Sequence, residues 1–326
     1  MQRSVITFSK NIFLPLTHVC ANKCGYCCFR TEITNECVMS PSAITNTIKR
    51  GASIGVTEAL FTFGERPGKV KGFSGILKEN TGYNDILDYC YDMCIRSIEC
   101  GILPHTNAGI LTYEEMERLK EVNASMGLML ETTADIKAHE KSPGKKPAVR
   151  IEMLENAGKL RIPFTTGILL GIGETMNDRE DSLRVIRDIH KRYGHIQEVI
   201  IQNFTPKPGT PMEGNEVISF HEMSDMIRLG REILPDDIAV QIPPNLADAR
   251  KLIHFGVNDL GGVSPLTIDY VNPEHPWPEI EELKSVVGND FGLKERLCIY
   301  PQYIKKGWYS PTLKDLIIKL QEKILE

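Results

Sequence analysis

The chain has 326 residues, enough for one large α/β barrel or for two ordinary domains with a substantial core. Its formal net charge is -5 and 25% of its residues are charged, with both signs mixed, so it lacks the dense basic tract that binds nucleic acid or anionic lipid. No apolar run approaches the length of a membrane span and the N-terminus lacks a signal-peptide core. We therefore expect a soluble, cytoplasmic protein that acts on a small molecule.

Short β-like runs alternate with helical patterns along the whole chain, which is typical of a fold built from β/α units. Eight strands are predicted, in chain order at residues 12–16, 58–63, 102–106, 124–130, 163–170, 198–203, 239–242 and 257–260. Eight strands with intervening helices predict a parallel (β/α)8 TIM-type barrel over residues 1–326, with the segment from about residue 270 packed as a C-terminal extension. Because the eighth strand is short and polar, the sequence leaves open whether the barrel closes.

Capping residues mark the predicted starts of the helices. Ser40 precedes a proline that suits the first helical position, and Asn177 and Asp178 precede a helix over residues 179–190. Asn245 precedes a helix over residues 246–255, and Pro278 opens a helix over residues 279–287. The basic loop at residues 141–147 is interpreted as a flexible lid or a solvated turn.

Four of the nine cysteines crowd into residues 20–28, which favours metal binding by reduced thiols over disulfides. Cys20, Cys24 and Cys27 directly follow the first predicted strand. Three thiolates can hold three irons of a four-iron cluster and leave the fourth iron free for a ligand. A zinc ribbon would need a second ligand pair, and a thioredoxin-like pair of Cys24 and Cys27 would leave Cys20 unexplained. Cys28 is an alternative cluster ligand.

The order Cys20, Cys24, Tyr26, Cys27 resembles the motif of the radical S-adenosylmethionine (SAM) enzymes. The resemblance implies a radical SAM barrel, one 4Fe-4S cluster on the three cysteines, and SAM chelated to the open iron. SAM would then be cleaved by one electron to give a 5′-deoxyadenosyl radical. The active site would lie at the C-terminal ends of the strands.

Further segments resemble parts of the SAM site in that family. Gly64 and Glu65 lie in a segment similar to Gly-Gly-Glu-Pro, which receives the methionine amino group, although the first glycine is Phe63 here. Residues 167–174, with Gly171 and Glu174, are similar to the segment beside the adenine. Two more positions match the biotin-synthase-like branch and imply contacts with the ribose and the methionine carboxylate; they are Glu131 and Arg150. For Arg150 an ordinary charge on a helix surface is the alternative.

Eight segments together resemble a narrower family, the synthases that close the deazaflavin ring of coenzyme F(420). They are residues 11–17, 24–27, 58–67, 103–107, 123–131, 194–204, 206–212 and 269–273. The resemblance implies a substrate in which a hydroxybenzyl group is joined to a ribityl-uracil, and ring closure with release of ammonia. It also implies a separate radical SAM partner subunit that makes this adduct, and a low-potential electron donor.

A ribityl-uracil with a phenol requires amide and hydroxyl partners in a largely apolar pocket. Four residues near the ends of predicted strands are suited to this: Asn107, Gln202, Asn203 and Asn245. Ring closure also requires a base poised near neutrality, for which His105 is the candidate. A histidine that bonds a neighbouring backbone is the alternative for this residue.

Two other functions remain open from the sequence. The chain could be a different biotin-synthase-like radical SAM enzyme, such as the partner that makes the adduct. It could also be a non-enzymatic metal-binding or redox module in which the cysteines are structural ligands.

Overall fold

A closed barrel of eight parallel strands is the centre of the computed structural model, which describes residues 4–325. The strands are β1 (Val5–Thr17), β2 (Glu58–Phe63), β3 (Leu103–Asn107), β4 (Ser125–Gly127), β5 (Phe164–Leu170), β6 (Ile196–Asn203), β7 (Ala239–Gln241) and β8 (Asp259–Val263). They follow one another in chain order around the barrel. Pairing of β1 with both β2 and β8 completes the ring, so the closure that the sequence left open is present.

Helices connect successive strands, and two further helices follow the last strand of the chain. They are α1 (Pro41–Ser53), α2 (Phe73–Thr81), α3 (Ile86–Glu99), α4 (Tyr113–Lys120), α5 (Pro147–Lys159), α6 (Met176–Tyr193), α7 (Phe220–Ile233), α8 (Ala249–Leu252), α9 (Ile280–Val287), α10 (Pro301–Lys305) and α11 (Lys314–Leu325). Cys90 and Cys94, on α3, are fully buried in the hydrophobic core. Within residues 4–325, no helix combines the length and the apolar character needed to cross a membrane.

Most predicted strands are confirmed, but their bounds differ. β1 begins at Val5 and not at residue 12, because its first half pairs with β8 and with a strand near the C-terminus. β4 is only three residues long, and the predicted continuation to residue 130 is irregular chain beside β5. It ends at Glu131, which has a left-handed backbone with φ of 67°. The chain therefore leaves the regular sheet before it reaches the site.

Side-chain capping decides where the helices begin. Ser40 caps α1 as predicted. Helix α6 begins at Met176 and not at residue 179, as predicted, because Thr175 and Asp178 form a capping box at its start. The prediction for Asn245 was wrong: Asp248 caps the short helix α8, while the side chain of Asn245 donates to Asp269.

A ninth strand, β9 (Gly292–Glu295), pairs with β1 outside the closed ring. The following segment, residues 296–300, crosses the N-terminal end of the barrel. There the Cys298 carbonyl accepts hydrogen bonds from Ser125 Oγ at 2.8 Å and from Gln197 Nε2 at 2.8 Å. Because this segment covers one end of the barrel, ligands have access from the other end, where the strands terminate.

Candidate active site

A cavity of about 330 Å³ lies at the C-terminal ends of the strands; we call it the upper chamber. Its lining includes the three predicted cluster cysteines together with Tyr26, Gly64, Glu65, Asn107, Glu131, Arg150, Gln202 and Asn203. Residues that are far apart in the sequence therefore meet around one space. The predicted site residues that do not line it are His105, Gly171, Glu174 and Asn245.

The long loop after β1 brings Cys20, Cys24 and Cys27 to the wall of the upper chamber as free thiols. The Glu65 backbone N–H donates to Cys20 Sγ at 3.2 Å, and Ser142 Oγ donates to Cys24 Sγ at 3.2 Å. Such hydrogen bonds to sulfur are typical of iron–sulfur sites and influence their redox potential. The exposed Cys28 also reaches this wall, but its thiol donates to the Val271 carbonyl.

The cysteine set fits a four-iron cluster in which each thiolate binds a different iron. Burial raises the pKa of Cys20 to about 11, and burial also raises the pKa of Cys24. Both thiols are therefore protonated without metal and would release protons when iron binds. Between Ser4 and Leu325 no group of three or more His, Cys, Asp or Glu side chains is arranged to hold a single metal ion.

The loop after β2 holds the cysteine loop in place through a close backbone contact at Gly64. A Cβ atom on this residue would lie 2.1 Å from the Val19 carbonyl oxygen and 2.7 Å from Cys20 Cβ. Backbone hydrogen bonds from Gly64 N to Thr17 O (3.0 Å) and from Ala21 N to Glu65 O (2.8 Å) secure the two loops. Only glycine fits at this contact.

The carboxylate of Glu65 is enclosed by two further loops at the edge of the upper chamber. It accepts hydrogen bonds from Ile110 N at 3.3 Å and from Arg150 Nη2 at 3.4 Å. Gly109 and Gly144 pack directly on it, and a Cβ on Gly144 would overlap Glu65 Oε1. Packing of this kind fixes the direction in which the carboxylate points.

Charged side chains from residues 131–150 form one wall of the upper chamber. Arg150 is only 3% exposed, which removes the alternative of a surface charge. Its guanidinium donates to the carbonyls of Gly144 and Met129. Lys145 forms an ion pair with Glu131. Although burial opposes ionisation, Lys145 and Arg150 hold the pKa of Glu131 below its ordinary value, so this carboxylate is charged.

The loop at residues 141–147 is therefore not a lid or a solvated turn, as the sequence suggested. Pro143–Lys145 forms a short 3-10 helix, and Ser142 is buried against Cys24. Lys145 was missed because its partner, Glu131, is distant in the sequence. The feature of the sequence that could have indicated its role is its position just before α5.

Tyr26, between the cluster cysteines, contacts a histidine that the sequence did not indicate. The Tyr26 hydroxyl and His139 Nε2 are 3.0 Å apart, and the rings pack edge to face with centroids 5.6 Å apart. Burial raises the pKa of Tyr26 well above its ordinary value and lowers the pKa of His139 to about 4. Both side chains are therefore neutral, and their contact holds the cysteine loop, which contains Tyr26, against the segment that contains His139.

Glu174 organises the turn after β5. Its carboxylate accepts hydrogen bonds from Gly171 N at 2.7 Å and Ile172 N at 2.8 Å, and it pairs with Arg179 at 2.8 Å. Gly171 has φ of 94°, which a non-glycine residue would rarely adopt. These contacts shape the backbone of the segment; its proximity to an adenine stays a prediction.

A second cavity of about 200 Å³, the lower chamber, lies deeper in the barrel. It shares five lining residues with the upper chamber: Asn107, Ile200, Gln202, Val271 and Asn272. Of the predicted substrate residues, Asn107 and Gln202 thus stand at the junction of the two cavities. The Nδ2 of Asn203 donates to the Leu246 carbonyl at 3.1 Å, which leaves its buried Oδ1 without a partner among the described residues.

His105 lies in the lower chamber and is not the near-neutral base that the sequence suggested. Burial, assisted by Arg296, lowers its pKa to about 3. Ser125 Oγ donates its proton to the Cys298 carbonyl, so it must accept from His105 Nδ1 at 2.7 Å. His105 is therefore a neutral imidazole whose Nε2 is a hydrogen-bond acceptor. The group with a pKa near neutrality in this chamber is Glu58, at about 7 because of burial.

Comparison with known proteins agrees with this arrangement. Residues 14–186 match the Radical SAM superfamily. The 7,8-didemethyl-8-hydroxy-5-deazariboflavin synthase of Methanoculleus marisnigri is 68% identical, over 99% of this chain and 97% of the relative. The synthase of Methanosphaerula palustris is 61% identical, over 100% and 99% of the two chains.

Solved structures show the same fold at low sequence identity. The FeFe-hydrogenase maturase HydG from Carboxydothermus hydrogenoformans superposes with a TM-score of 0.68 at 17% identity, covering 99% of this chain and 82% of that one. Methylornithine synthase superposes with a TM-score of 0.62 at 17% identity, covering 96% and 85% of the two chains. The family match and the full-length relatives show that the chain belongs to the radical SAM superfamily and, within it, to the 7,8-didemethyl-8-hydroxy-5-deazariboflavin synthases.

Proposed function

We propose that this chain is a radical SAM lyase that closes the deazaflavin ring in coenzyme F(420) biosynthesis. The substrates are 5-amino-5-(4-hydroxybenzyl)-6-(D-ribitylimino)-5,6-dihydrouracil and SAM. The products are 7,8-didemethyl-8-hydroxy-5-deazariboflavin, ammonia, methionine and 5′-deoxyadenosine, and SAM is the oxidant for the two hydrogens that the adduct loses. The observation that carries the proposal is the 68% identity over 99% of the chain to a synthase of that name. The convergence of the three cysteines on the upper chamber supports it.

Cys20, Cys24 and Cys27 would hold the 4Fe-4S cluster. When bound, the cluster and SAM would supply the radical chemistry for hydrogen abstraction from the substrate. The Gly64 and Glu65 segment suits the methionine amino group, and the Arg150 guanidinium suits the carboxylate. The Glu131 carboxylate is a hydrogen-bond acceptor for ribose hydroxyls. Tyr26 would keep the cysteine loop packed on this end of the chamber.

The substrate would lie between the upper chamber and the lower chamber. Asn107, Gln202 and Asn203 offer amide groups at their junction, where a uracil ring can both donate and accept hydrogen bonds. Asn245 would act indirectly, through Asp269, to which it donates at 3.0 Å. The enclosing walls keep water away from a reactive intermediate.

We further infer that a separate radical SAM subunit makes the adduct and that a low-potential donor supplies the electron. A single cysteine motif in this chain supports the separate subunit, since each radical step requires its own cluster. The nine free cysteines and an oxygen-sensitive cluster suit a reducing compartment such as the cytoplasm.

The experiment is anaerobic turnover of the reconstituted protein with SAM and dithionite, followed by mass spectrometry. One reaction contains the isolated adduct and the other contains tyrosine with 5-amino-6-(D-ribitylamino)uracil. We expect the deazaflavin only from the adduct. Turnover only in the second reaction would make the chain the adduct-forming enzyme, and a protein that binds metal but never cleaves SAM would be a non-enzymatic module.

A further inference from the structure

The lower chamber is lined by polar side chains from the interior of the barrel. They include Ser9 and Asn11 in the middle of β1, Glu58 at the start of β2 and Thr165 near the start of β5. In a TIM-type barrel this space is normally filled by branched apolar side chains. Here it is a cavity that shares Asn107 and Gln202 with the upper chamber, so the two spaces are adjacent and a ligand that occupied both would pass these two residues.

Four buried carboxylates and one guanidinium lie in or beside the lower chamber: Glu58, Glu198, Asp259, Asp269 and Arg296. Arg296 donates to Asp259 through Nε at 2.6 Å and through Nη2 at 2.7 Å, and to Glu198 through Nη2 at 2.7 Å. Glu198 also accepts hydrogen bonds from Thr165 at 2.7 Å and Tyr300 at 2.9 Å. Arg296 thus satisfies two of the carboxylates. Asp269 accepts hydrogen bonds from the Val271 and Asn272 backbone N–H groups, and one carboxylate is left.

The remaining carboxylate is Glu58, whose only side-chain partner within residues 4–325 is Ser9 Oγ, at 2.6 Å from Oε2. It is 6% exposed, and none of the ion pairs within residues 4–325 includes it. Burial of a carboxyl group without a cation is unfavourable, and a position that retains such a group is a candidate for function. The Oε1 atom of Glu58 is available to a ligand on the chamber side.

Further hydrogen-bond acceptors face the same space. His105 Nε2 is unprotonated and has no partner among the described residues. Asn11 is 2% exposed, and its buried Oδ1 likewise lacks a partner in the described part of the chain. Glu58, His105 and Asn11 all line one cavity, and Glu58 and His105 have acceptor atoms without a partner in the described part of the chain, which a ligand with several donors would satisfy.

We propose that the lower chamber binds the ribityl chain of the substrate, and that Glu58 at its deep end positions this chain through hydrogen bonds to its hydroxyl groups. A polyol brings several hydroxyl donors on a flexible chain that fits a narrow polar cavity. The uracil would then lie at the junction and the hydroxybenzyl group in the upper chamber. This inference rests on the proposed function, because the ribityl chain belongs to the substrate named there.

The test compares two probes on the anaerobic, cluster-loaded protein by titration calorimetry. The first probe is 5-amino-6-(D-ribitylamino)uracil, and the second is 5,6-diaminouracil, which lacks the polyol. We expect the unmodified protein to prefer the first probe. In Glu58→Leu that preference should fall by about tenfold or more, because the leucine cannot form the hydrogen bonds that the carboxyl group makes with the polyol. The affinity for 5,6-diaminouracil should not change.

Two matched variants accompany the test. Glu58→Gln keeps the shape and an acceptor oxygen, so it should retain part of the preference for the ribityl probe. Glu155→Gln changes a surface carboxylate that pairs with Arg192 and should behave as the unmodified protein. SAM affinity is measured in each variant and should be unaltered, because the upper chamber remains intact.

Equal affinity of the unmodified protein for the two probes would overturn the assignment of the chamber. An unchanged preference in Glu58→Leu, or a parallel loss of SAM affinity, would overturn the role of Glu58. These failures are distinct from failure of the proposed function: a protein that forms the deazaflavin but ignores the polyol refutes only this inference. Absence of deazaflavin formation would refute the proposed function whatever the probes do.

Discussion

Gly64 is the residue at which the cysteine loop and the loop after β2 come closest. We predict that Gly64→Ala prevents stable cluster binding, because the new Cβ would lie 2.1 Å from the Val19 carbonyl oxygen and would displace the segment that leads into Cys20. The measurement is the iron and sulfide content of anaerobically reconstituted protein. We expect the variant to retain only a minor fraction of the normal iron.

Gly68→Ala is the matched control for this change. It lies in the same loop, and a Cβ there would meet no atom within 4 Å. Its iron content should equal that of the unmodified protein. A full cluster in Gly64→Ala would show that the contact between the two loops is not required.

Glu58 is predicted to make stability depend on pH. Its pKa is raised by burial from 4.5 to about 7, so between these values the folded protein binds a proton that the unfolded chain has released. The free energy of unfolding therefore falls as pH rises through this window. Glu58→Gln removes the effect and should be more stable than the unmodified protein at pH 8, by roughly 3 kcal/mol.

Denaturant unfolding at pH 5 and at pH 8 tests this prediction. The advantage of Glu58→Gln should be small at pH 5 and should increase toward pH 8. Glu155→Gln, at the surface, should show no such trend. An advantage that is equal at both pH values would mean that Glu58 does not hold its proton in the folded protein.

At the scale of single residues, the sequence predicts sites whose residues lie close together in the chain. Cys20, Cys24 and Cys27 fall within eight consecutive residues, so their spacing alone indicated a cluster. Glu58 and Lys145 could not be found in this way. The role of Glu58 depends on Arg296 being occupied by Glu198 and Asp259, and the role of Lys145 depends on Glu131; both are tertiary relations.

Among the structural elements, the segment between β4 and α5 differs most from the prediction made from the sequence. Because a Cβ on Gly144 would overlap Glu65 Oε1, Gly144→Ala must displace either this segment or the Glu65 carboxylate. We predict that it weakens SAM binding by about tenfold or more while the cluster still assembles. Equilibrium binding of SAM to the cluster-loaded protein measures this effect.

Gly75→Ala, on α2 and with no atom near the new methyl group, is the corresponding control. It should bind SAM normally. If Gly144→Ala also bound SAM normally, the segment would be as adaptable as the sequence suggested.

The sequence predicted the strands that contain a run of apolar residues and missed the strand that lacks one. β5 contains the apolar run Ile168–Leu170 and β6 contains the apolar run Val199–Ile201, whereas β9 contains only Leu293 as a strongly apolar residue and was missed. β9 forms because the first half of β1 offers it a free edge. Helix α6 begins earlier than predicted for a different reason: the capping box of Thr175 and Asp178 sets its start, and Asn177 lies inside the helix.

For the molecule as a whole, Arg296 joins the C-terminal segment to the barrel. It is buried between Glu198 and Asp259, which belong to β6 and β8. Its removal would leave two buried carboxylates without a cation. We predict that Arg296→Met lowers the free energy of unfolding by about 3–5 kcal/mol, measured by denaturant unfolding.

Arg192→Met is the control, because Arg192 pairs with Glu155 at the surface and should contribute less than about 1 kcal/mol. Adding Glu198→Gln and Asp259→Asn to Arg296→Met should restore much of the lost stability. A small effect of Arg296→Met alone would contradict the view that this residue secures the closed end of the barrel.

The measurement that tests the account most directly is the yield of deazaflavin per 5′-deoxyadenosine, determined by mass spectrometry in anaerobic reactions with the isolated adduct and SAM. The account predicts equal amounts of the two products for the unmodified protein, and neither product for Cys24→Ser. Formation of 5′-deoxyadenosine without deazaflavin, or of deazaflavin by Cys24→Ser, would contradict it.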